Sequence, residues 1–464
     1  MNNNTCYDLA VSGGTFVGPD RVFTGHLLIT GGRLAAVASA EEAPRASRVI
    51  SAAGKLVFPG IIDAHLHPVY SDRTDRLSRA AAAGGVTTLI PYIGAFKAWG
   101  GQGDLREALD LFIEEGRGGS LLDFAVHLSL NQDDLPEIER TIAYAAEHGV
   151  RSFKLFTAYK KRGMQLDDPD IIKVMEAVVK HGGLLAAHCE NGAIIDRLEE
   201  AAVTDGRVQA RFFEATHPAL SEAEALFRFM CLARMCGCPV YLPHLSTRQA
   251  LQVLDLVRSW PGPPIFAETC PHYLCLTDDL MAKWGTRAKV TPPIRPAGHA
   301  DPLWRAVADG RIQVVGSDHA GHSSAVKEPH SGSVFAAPTG IPGGDMLLRL
   351  MYHEGVAQGR LTLPNLARAL CENPARIFGL WPRKGGFNLG GDADLVIWDP
   401  EAETVVESVN PYLEAEYNLY EGRTLMGRAE TVIRRGQVIF ENGELADEGG
   451  GEYLPAELTH WPSL

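Results

Sequence analysis

Phe58-Pro-Gly-Ile-Ile-Asp-Ala-His-Leu-His67 is the stretch around which the chain is organised. An apolar run leads into a His-x-His pair, His65 and His67, with Asp63 just before it. In a strand, residues two apart project to the same side, so two imidazoles at a strand end can reach one metal ion. Taken alone, the pair reads equally well as two polar residues in a loop. Its weight comes from other ligand-type side chains that recur downstream, each at the end of an apolar run.

Residues 57–384 alternate short apolar runs with helical patterns, the signature of a parallel α/β sheet. Eight strands are expected, at 61–65, 86–92, 124–130, 152–156, 184–188, 240–244, 265–269 and 312–317. Eight such units predict a (β/α)8 TIM-like barrel, with an open doubly wound sheet as the alternative. Ser221-Glu-Ala-Glu224 reads as a capping box opening a helix to about Met235. Residues 1–56 read instead as short strands broken at Gly13-Gly14 and Gly31-Gly32, which is hairpin chemistry. Similar runs at 393–398, 405–409, 429–435 and 437–441 return within residues 385–464. The two ends are therefore expected to build one small β-sandwich domain beside the barrel.

The totals narrow the function. A chain of 464 residues with 45% hydrophobic and 22% charged residues is ordinary globular protein, long enough for a large domain and a smaller one. Its net charge of −14 argues against a general nucleic-acid or anionic-membrane surface. No secretory leader and no apolar run of membrane-spanning length is read, and the eight cysteines form no CxxC framework. A reduced, cytoplasmic setting is expected. Cys236-Gly-Cys238 ends a helical stretch without partner cysteines and reads as packing.

In a barrel, side chains at the carboxyl ends of the strands converge on one mouth. Reading along those ends gives His65 and His67, Lys154, His188, His244 and Asp318. Singly, His188 or His244 is an ordinary hydrogen-bonded histidine near a turn, and Asp318 a helix cap. Together they form imidazole-rich sets plus a carboxylate, the donor chemistry of zinc and similar divalent ions. Lys154 sits in Ser-Phe-Lys-Leu-Phe, where a bare ammonium is costly to bury. It either snorkels to solvent or becomes a neutral, nucleophilic amine, and such an amine can take up CO2 as a carbamate able to bridge two cations.

These stretches carry a resemblance. Pro-Gly-Ile-Ile-Asp-Ala-His-Leu-His67, Ser-Phe-Lys154-Leu-Phe-Thr-Ala-Tyr159-Lys and His188-Cys-Glu-Asn-Gly are followed in order by His244-Leu-Ser and Ala-Glu-Thr-Cys-Pro-His-Tyr-Leu274. Thr291-Pro-Pro-Ile-Arg, Gly-Ser-Asp318-His-Ala and Asn373-Pro-Ala-Arg-Ile-Phe-Gly-Leu-Trp-Pro-Arg-Lys-Gly385 complete the series, with Asp392-Ala-Asp-Leu-Val-Ile-Trp-Asp-Pro beyond. The chain resembles the amidohydrolase superfamily, and within it the dihydropyrimidinase/hydantoinase branch of cyclic amidases. The resemblance covers nearly the whole chain.

What the resemblance implies is specific. His65, His67, Lys154 (as N6-carboxylysine) and Asp318 would hold one divalent ion, and Lys154, His188 and His244 the second. Zinc is the default, with manganese, cobalt or iron as alternatives. Asp318 would move the proton and Tyr159 would stabilise the oxyanion. Thr291 and Thr339 would hold the amide groups of a small cyclic substrate. Relatives of this kind are often homotetramers, and Glu414-Ala-Glu-Tyr-Asn-Leu-Tyr-Glu-Gly422 resembles their assembly region, so a dimer or tetramer is expected.

Two departures concern the ring. Thr339 stands where asparagine is usual, and a hydroxyl cannot reproduce both contacts of an amide. The loop between His67 and the helix expected at 76–83 is short, and His272 also occurs in the allantoinase-like branch. Allantoin, dihydroorotate or another cyclic amide is therefore the alternative substrate, although no arginine signature for the dihydroorotate carboxylate follows His67. Non-catalytic assembly proteins of the branch have lost metal ligands, whereas all six positions are filled here. Deaminases of the superfamily usually use one metal and have no bridging lysine.

Overall fold

The computed structural model describes residues 7–41, 43–96, 103–446, 449–458, 460–462 and 464. Strand Tyr7–Val17 pairs antiparallel with Val22–Thr30, which continues to Arg33–Ala38. It pairs parallel with Ala46–Ser51 and Leu56–Pro59. Leu56–Pro59 then pairs antiparallel with Leu395–Val405, and Thr424–Arg434, Gln437–Glu441 and Glu444–Leu445 follow. Both ends of the chain thus enter one nine-stranded, mostly antiparallel sheet. Leu9, Val11, Leu27, Val57, Ile397 and Ile433 share its apolar core.

Gly13-Gly14 does not break the first strand. The register slips between Ser12 and Thr15, and Gly13 at φ +76° supplies the bulge. The strand expected at 405–409 is likewise absent, because Leu395–Val405 runs on past Asp399-Pro400 and takes the position in the ladder.

From Pro59 the chain enters the barrel through Gly60, where a Cβ would collide with the Thr87 hydroxyl and Asp394 Cβ. Tyr92–Ile93, His127–Ser129, Ser152–Phe156, Leu184–His188, Val240–Leu242, Ile265–Thr269 and Val314–Val315 form one parallel arc. Ile61–Asp63, Val86–Leu89 and Asp123–Phe124 form the other. The second stave is split at Ile90-Pro91, because Pro91 has no N–H for the ladder. Asp318 N donates to His65 O at 2.8 Å and His67 N to His319 O at 2.7 Å, so the last stave meets the first. That closure makes the structure a barrel and rules out the open doubly wound sheet.

Helices cover the outside. In Arg248–Arg258 the Thr247 hydroxyl caps Ala250 N, and Leu251, Leu254 and Val257 face inward one turn apart. The helix expected to open at Ser221 begins earlier, at Ala219, because Pro218 already fixes the entry conformation. Ser221 Oγ donates back to Pro218 O, and Glu224 accepts from Asn191 Nδ2 instead of closing a capping box. The final residues run back over the barrel, with Leu454 N donating to Phe124 O and Ala456 N to Gly149 O. Among the described residues no helix is long and apolar enough to cross a membrane.

The barrel and the end sheet are joined by a buried ion cluster. Lys384 Nζ meets Asp123 at 2.5 Å, Asp394 at 2.6 Å and Asp392 at 2.9 Å, and Arg435 reaches Asp123 at 2.8 Å. Removing one partner of a buried ion cluster leaves charges that water cannot reach. Lys384→Met is expected to destabilise the fold by about 3–5 kcal/mol, read as a lower denaturant midpoint.

Candidate functional site

The carboxyl ends of the staves bring the candidate donor groups into one buried mouth. His65 and His67 leave the end of Ile61–Asp63, His188 ends its own strand, and His244 and Asp318 lie just past theirs. Lys154 sits in the middle of Ser152–Phe156, so it reaches the mouth from one layer below. All six are at least nine-tenths buried. His65 Nε2 is 3.1 Å and His67 Nε2 is 3.3 Å from Asp318 Oδ1. Lys154 Nζ lies 3.3 Å from His65 Nε2, and His188 Nδ1 lies 3.1 Å from His244 Nε2.

Two carboxylates that the sequence did not single out decide which ring nitrogens face inward. Glu268 Oε1 takes His65 Nδ1 at 2.5 Å and the His244 main-chain N–H at 3.0 Å, while its Oε2 accepts from Tyr241 OH at 2.7 Å. Glu190 Oε2 takes His188 Nε2 at 2.8 Å. Holding one ring nitrogen fixes the direction of the other, which offers a lone pair when the ring is neutral. Their only sequence signal is an acid inside, or just past, an apolar run. Gly316 is required beside this pair, since a Cβ there would sit 2.7 Å from His65 Cβ and 2.9 Å from Glu268 Oε2.

Charge follows from these contacts. Burial pulls the Lys154 amine down to about 8 and His67 to about 4, and it takes His244 well below the usual imidazole range. For His65 burial acts the same way, but the Glu268 and Asp318 carboxylates outweigh it and raise its pKa to about 9. Burial would neutralise Asp318 too, yet the neighbouring His65 and His67 hold it well below the usual carboxylate value.

Beside this mouth stands a run of hydroxyls. Tyr159 OH donates to Thr291 Oγ1 at 2.6 Å, and Thr291 Oγ1 and Thr339 Oγ1 are 3.0 Å apart. All three line the same pocket as His67, Lys154, His188, His244 and Asp318, with His65 behind them. Tyr70 from the short loop after His67 also lines it, its ring 4.4 Å from that of His322. The helix after this loop is Thr74–Ala83. Tyr159, His244 and Asp318 all have positive φ, at +70°, +43° and +49°. Such backbone is costly for non-glycine residues and persists where surrounding contacts over-determine it.

The other sequence candidates lie elsewhere. Cys238 is buried at the end of helix Ala219–Cys236, and no metal-type cluster of described residues includes Cys236 or Cys238. Ala415, Tyr417 and Leu419, from the segment compared with an assembly region, are buried against Phe213, Val290 and Ile341 of the same chain.

Residues 56–439 match the amidohydrolase family. The chain is 36% identical to a D-hydantoinase of Streptomyces coelicolor, the alignment covering 96% of this chain and 97% of that one. It is 31% identical to an L-hydantoinase of Paenarthrobacter aurescens over 97% and 98% of the two chains. Among solved structures, the dihydropyrimidinase of Brevibacillus agri superimposes with a TM-score of 0.91 at 28% identity, covering 97% of this chain and 99% of that one. A closed barrel, an imidazole-rich mouth at its carboxyl face and end-to-end likeness to these proteins agree on one conclusion: the chain belongs to the amidohydrolase family, in its dihydropyrimidinase/hydantoinase branch.

Proposed function

We propose that this protein is a two-metal hydrolase that opens a small cyclic amide or imide ring of the dihydropyrimidine or hydantoin type. The observation that carries the reading is the mouth itself: five basic nitrogens and one carboxylate, buried together, beside a line of three hydroxyls. The fit to cations lies in the donor chemistry. Lys154 faces His65 and His188 faces His244 nitrogen to nitrogen at 3.1–3.3 Å. Protonating every member would crowd like charges out of reach of water, whereas lone pairs turned onto shared cations satisfy them all. His65, His67, Lys154 and Asp318 would hold one ion, and Lys154, His188 and His244 the other, with zinc as the default. The buried Lys154 amine, with its pKa near 8, keeps a neutral fraction that could add to CO2 and lose a proton, and the resulting carbamate would offer oxygens to the cations.

When bound, two divalent cations lower the pKa of a water and polarise the ring carbonyl. Asp318 stays ionised and accepts the proton of the attacking water at its carboxylate, then delivers it to the departing ring nitrogen. The C–N bond breaks, the carbon gains the hydroxyl and the nitrogen gains the proton. Burial raises the Tyr159 phenol well above its usual pKa, so it remains a donor and turns from Thr291 to the carbonyl oxygen as charge develops there. Thr291 and Thr339 hold the ring amide. One hydroxyl at Thr339 offers less than an asparagine amide, which favours a second reading in which the preferred ring is allantoin or another cyclic amide. A dimeric or tetrameric assembly and a reduced cytoplasmic setting belong to the same proposal; the seven described cysteines are free.

Metal-reconstituted protein, supplied with bicarbonate, is expected to open dihydrouracil or a hydantoin and to lose that activity with chelator. No turnover across dihydrouracil, hydantoins, allantoin and dihydroorotate by protein holding two metals would sink the dihydropyrimidine and hydantoin reading and leave a different cyclic amide. Lys154→Ala is expected to release both metals, measured by elemental analysis, with activity down at least about a hundredfold. Thr339→Asn is expected to change the ratio of rates on dihydrouracil and hydantoins, and an unchanged ratio would remove Thr339 from ring recognition.

A further inference from the structure

Lys327 ends the short helix Ser324–Lys327, behind the pocket wall, with no exposed surface. Its Nζ donates to three main-chain carbonyls: Arg287 O at 3.1 Å, Lys289 O at 3.0 Å and Gly340 O. Burial and the nearby Lys289 pull its pKa well below the usual lysine value, and the three carbonyls take up every N–H the amine can offer. No carboxylate pairs with it among the described residues. A buried amine held only by carbonyl dipoles is a costly way to fill space that an apolar side chain would fill without desolvation.

The three carbonyls share a location. Arg287 and Lys289 lead into Thr291, and Gly340 follows Thr339. The same two segments are tied by Gly340 N donating to Lys289 O at 3.0 Å and by Lys289 Nζ donating to Ala337 O at 2.7 Å. On the pocket side of this seam stand the two hydroxyls, 3.0 Å apart.

We propose that Lys327 is a positioning residue: from behind the pocket its Nζ pins the Arg287, Lys289 and Gly340 carbonyls to one point and so sets the spacing of Thr291 and Thr339. This rests on the reading above in that those hydroxyls face the ring. Lys327 touches no substrate and acts through the two segments. Without its donors, the three carbonyls each lose one partner, and the seam is held only by its remaining bonds, among them Gly340 N to Lys289 O. The hydroxyl pair then loses its fixed spacing, and its grip on the ring weakens.

The test is Lys327→Met in the full-length, metal-reconstituted protein, with hydrogen exchange and steady-state kinetics on dihydrouracil and hydantoin. Exchange at segments 287–291 and 337–341 should rise together, including at the Gly340 amide. KM should rise about tenfold while metal content stays at the wild-type value, and the ratio of kcat/KM between the rings should move. Unchanged exchange in these segments overturns the proposal. So does a fall in kcat alone with KM and the ring ratio unmoved, since that describes general structural damage. If Lys327→Met does not fold, Lys327→Gln, with two donors on a shorter side chain, is read on the same quantities. Wild-type protein that opens neither ring sinks the dihydropyrimidine and hydantoin reading instead, and the exchange measurement still decides whether Lys327 holds the two segments.

Discussion

The seam where the barrel closes is the constraint on which the site depends. His65 and Asp318 lie far apart in sequence, yet the Asp318 amide bonds to the His65 carbonyl and the His67 amide to the His319 carbonyl. With the main chains so joined, the imidazoles of His65 and His67 meet the Asp318 carboxylate at 3.1–3.3 Å. The closure also accounts for local oddities. Asp318 adopts positive φ as its chain turns in across the mouth, and Gly316 leaves room for the His65–Glu268 pair. A shift of the seam by one residue would turn these side chains out of the mouth.

Three buried lysines illustrate three solutions to one problem, the cost of taking an ammonium out of water. Lys384 is surrounded by Asp123, Asp392 and Asp394 and keeps its charge, joining the barrel to the end sheet. Lys327 gives its N–H groups to main-chain carbonyls while burial pulls its pKa well below the usual lysine value. Lys154 lies over the ring of Tyr92, with its Nζ 4.1 Å from the centroid, and burial pulls its pKa to about 8. Burial lowers the pKa of both Lys327 and Lys154, but of the two only Lys154 lies at the mouth of the barrel, where a nucleophilic amine is chemically useful.

Much of the fold was legible because buried parallel strands are apolar on both faces. Strands Ser152–Phe156, Leu184–His188 and Ile265–Thr269 lie where the apolar runs placed them. At the ends of other runs the ladder stops short: 312–317 keeps only Val314–Val315, because the following residues leave the sheet to line the mouth. Periodicity failed where geometry is local but its cause is not. Gly13 makes a bulge because a neighbouring strand is present to pair on either side of it, and Ser221 lies inside a helix because Pro218 started the turn. Glu268 and Glu190 stayed hidden for a related reason, since a lone acid in or beside an apolar run does not announce which histidine it holds.

By itself the sequence determined the donor chemistry and its order: histidines, one lysine and one aspartate at successive ends of apolar runs, within a repeating strand–helix pattern flanked by two strand-rich ends. Those features depend on residue type and spacing along the chain, which is what a sequence records. The tertiary structure decided which ring nitrogens face inward, how Tyr159, Thr291 and Thr339 join into one line of hydroxyls, and how Lys327 ties together the segments that carry two of them. The physical reason is directionality. Hydrogen bonds and buried charges are satisfied only by partners at fixed distances and angles, and here those partners are brought together from strands and loops remote in sequence.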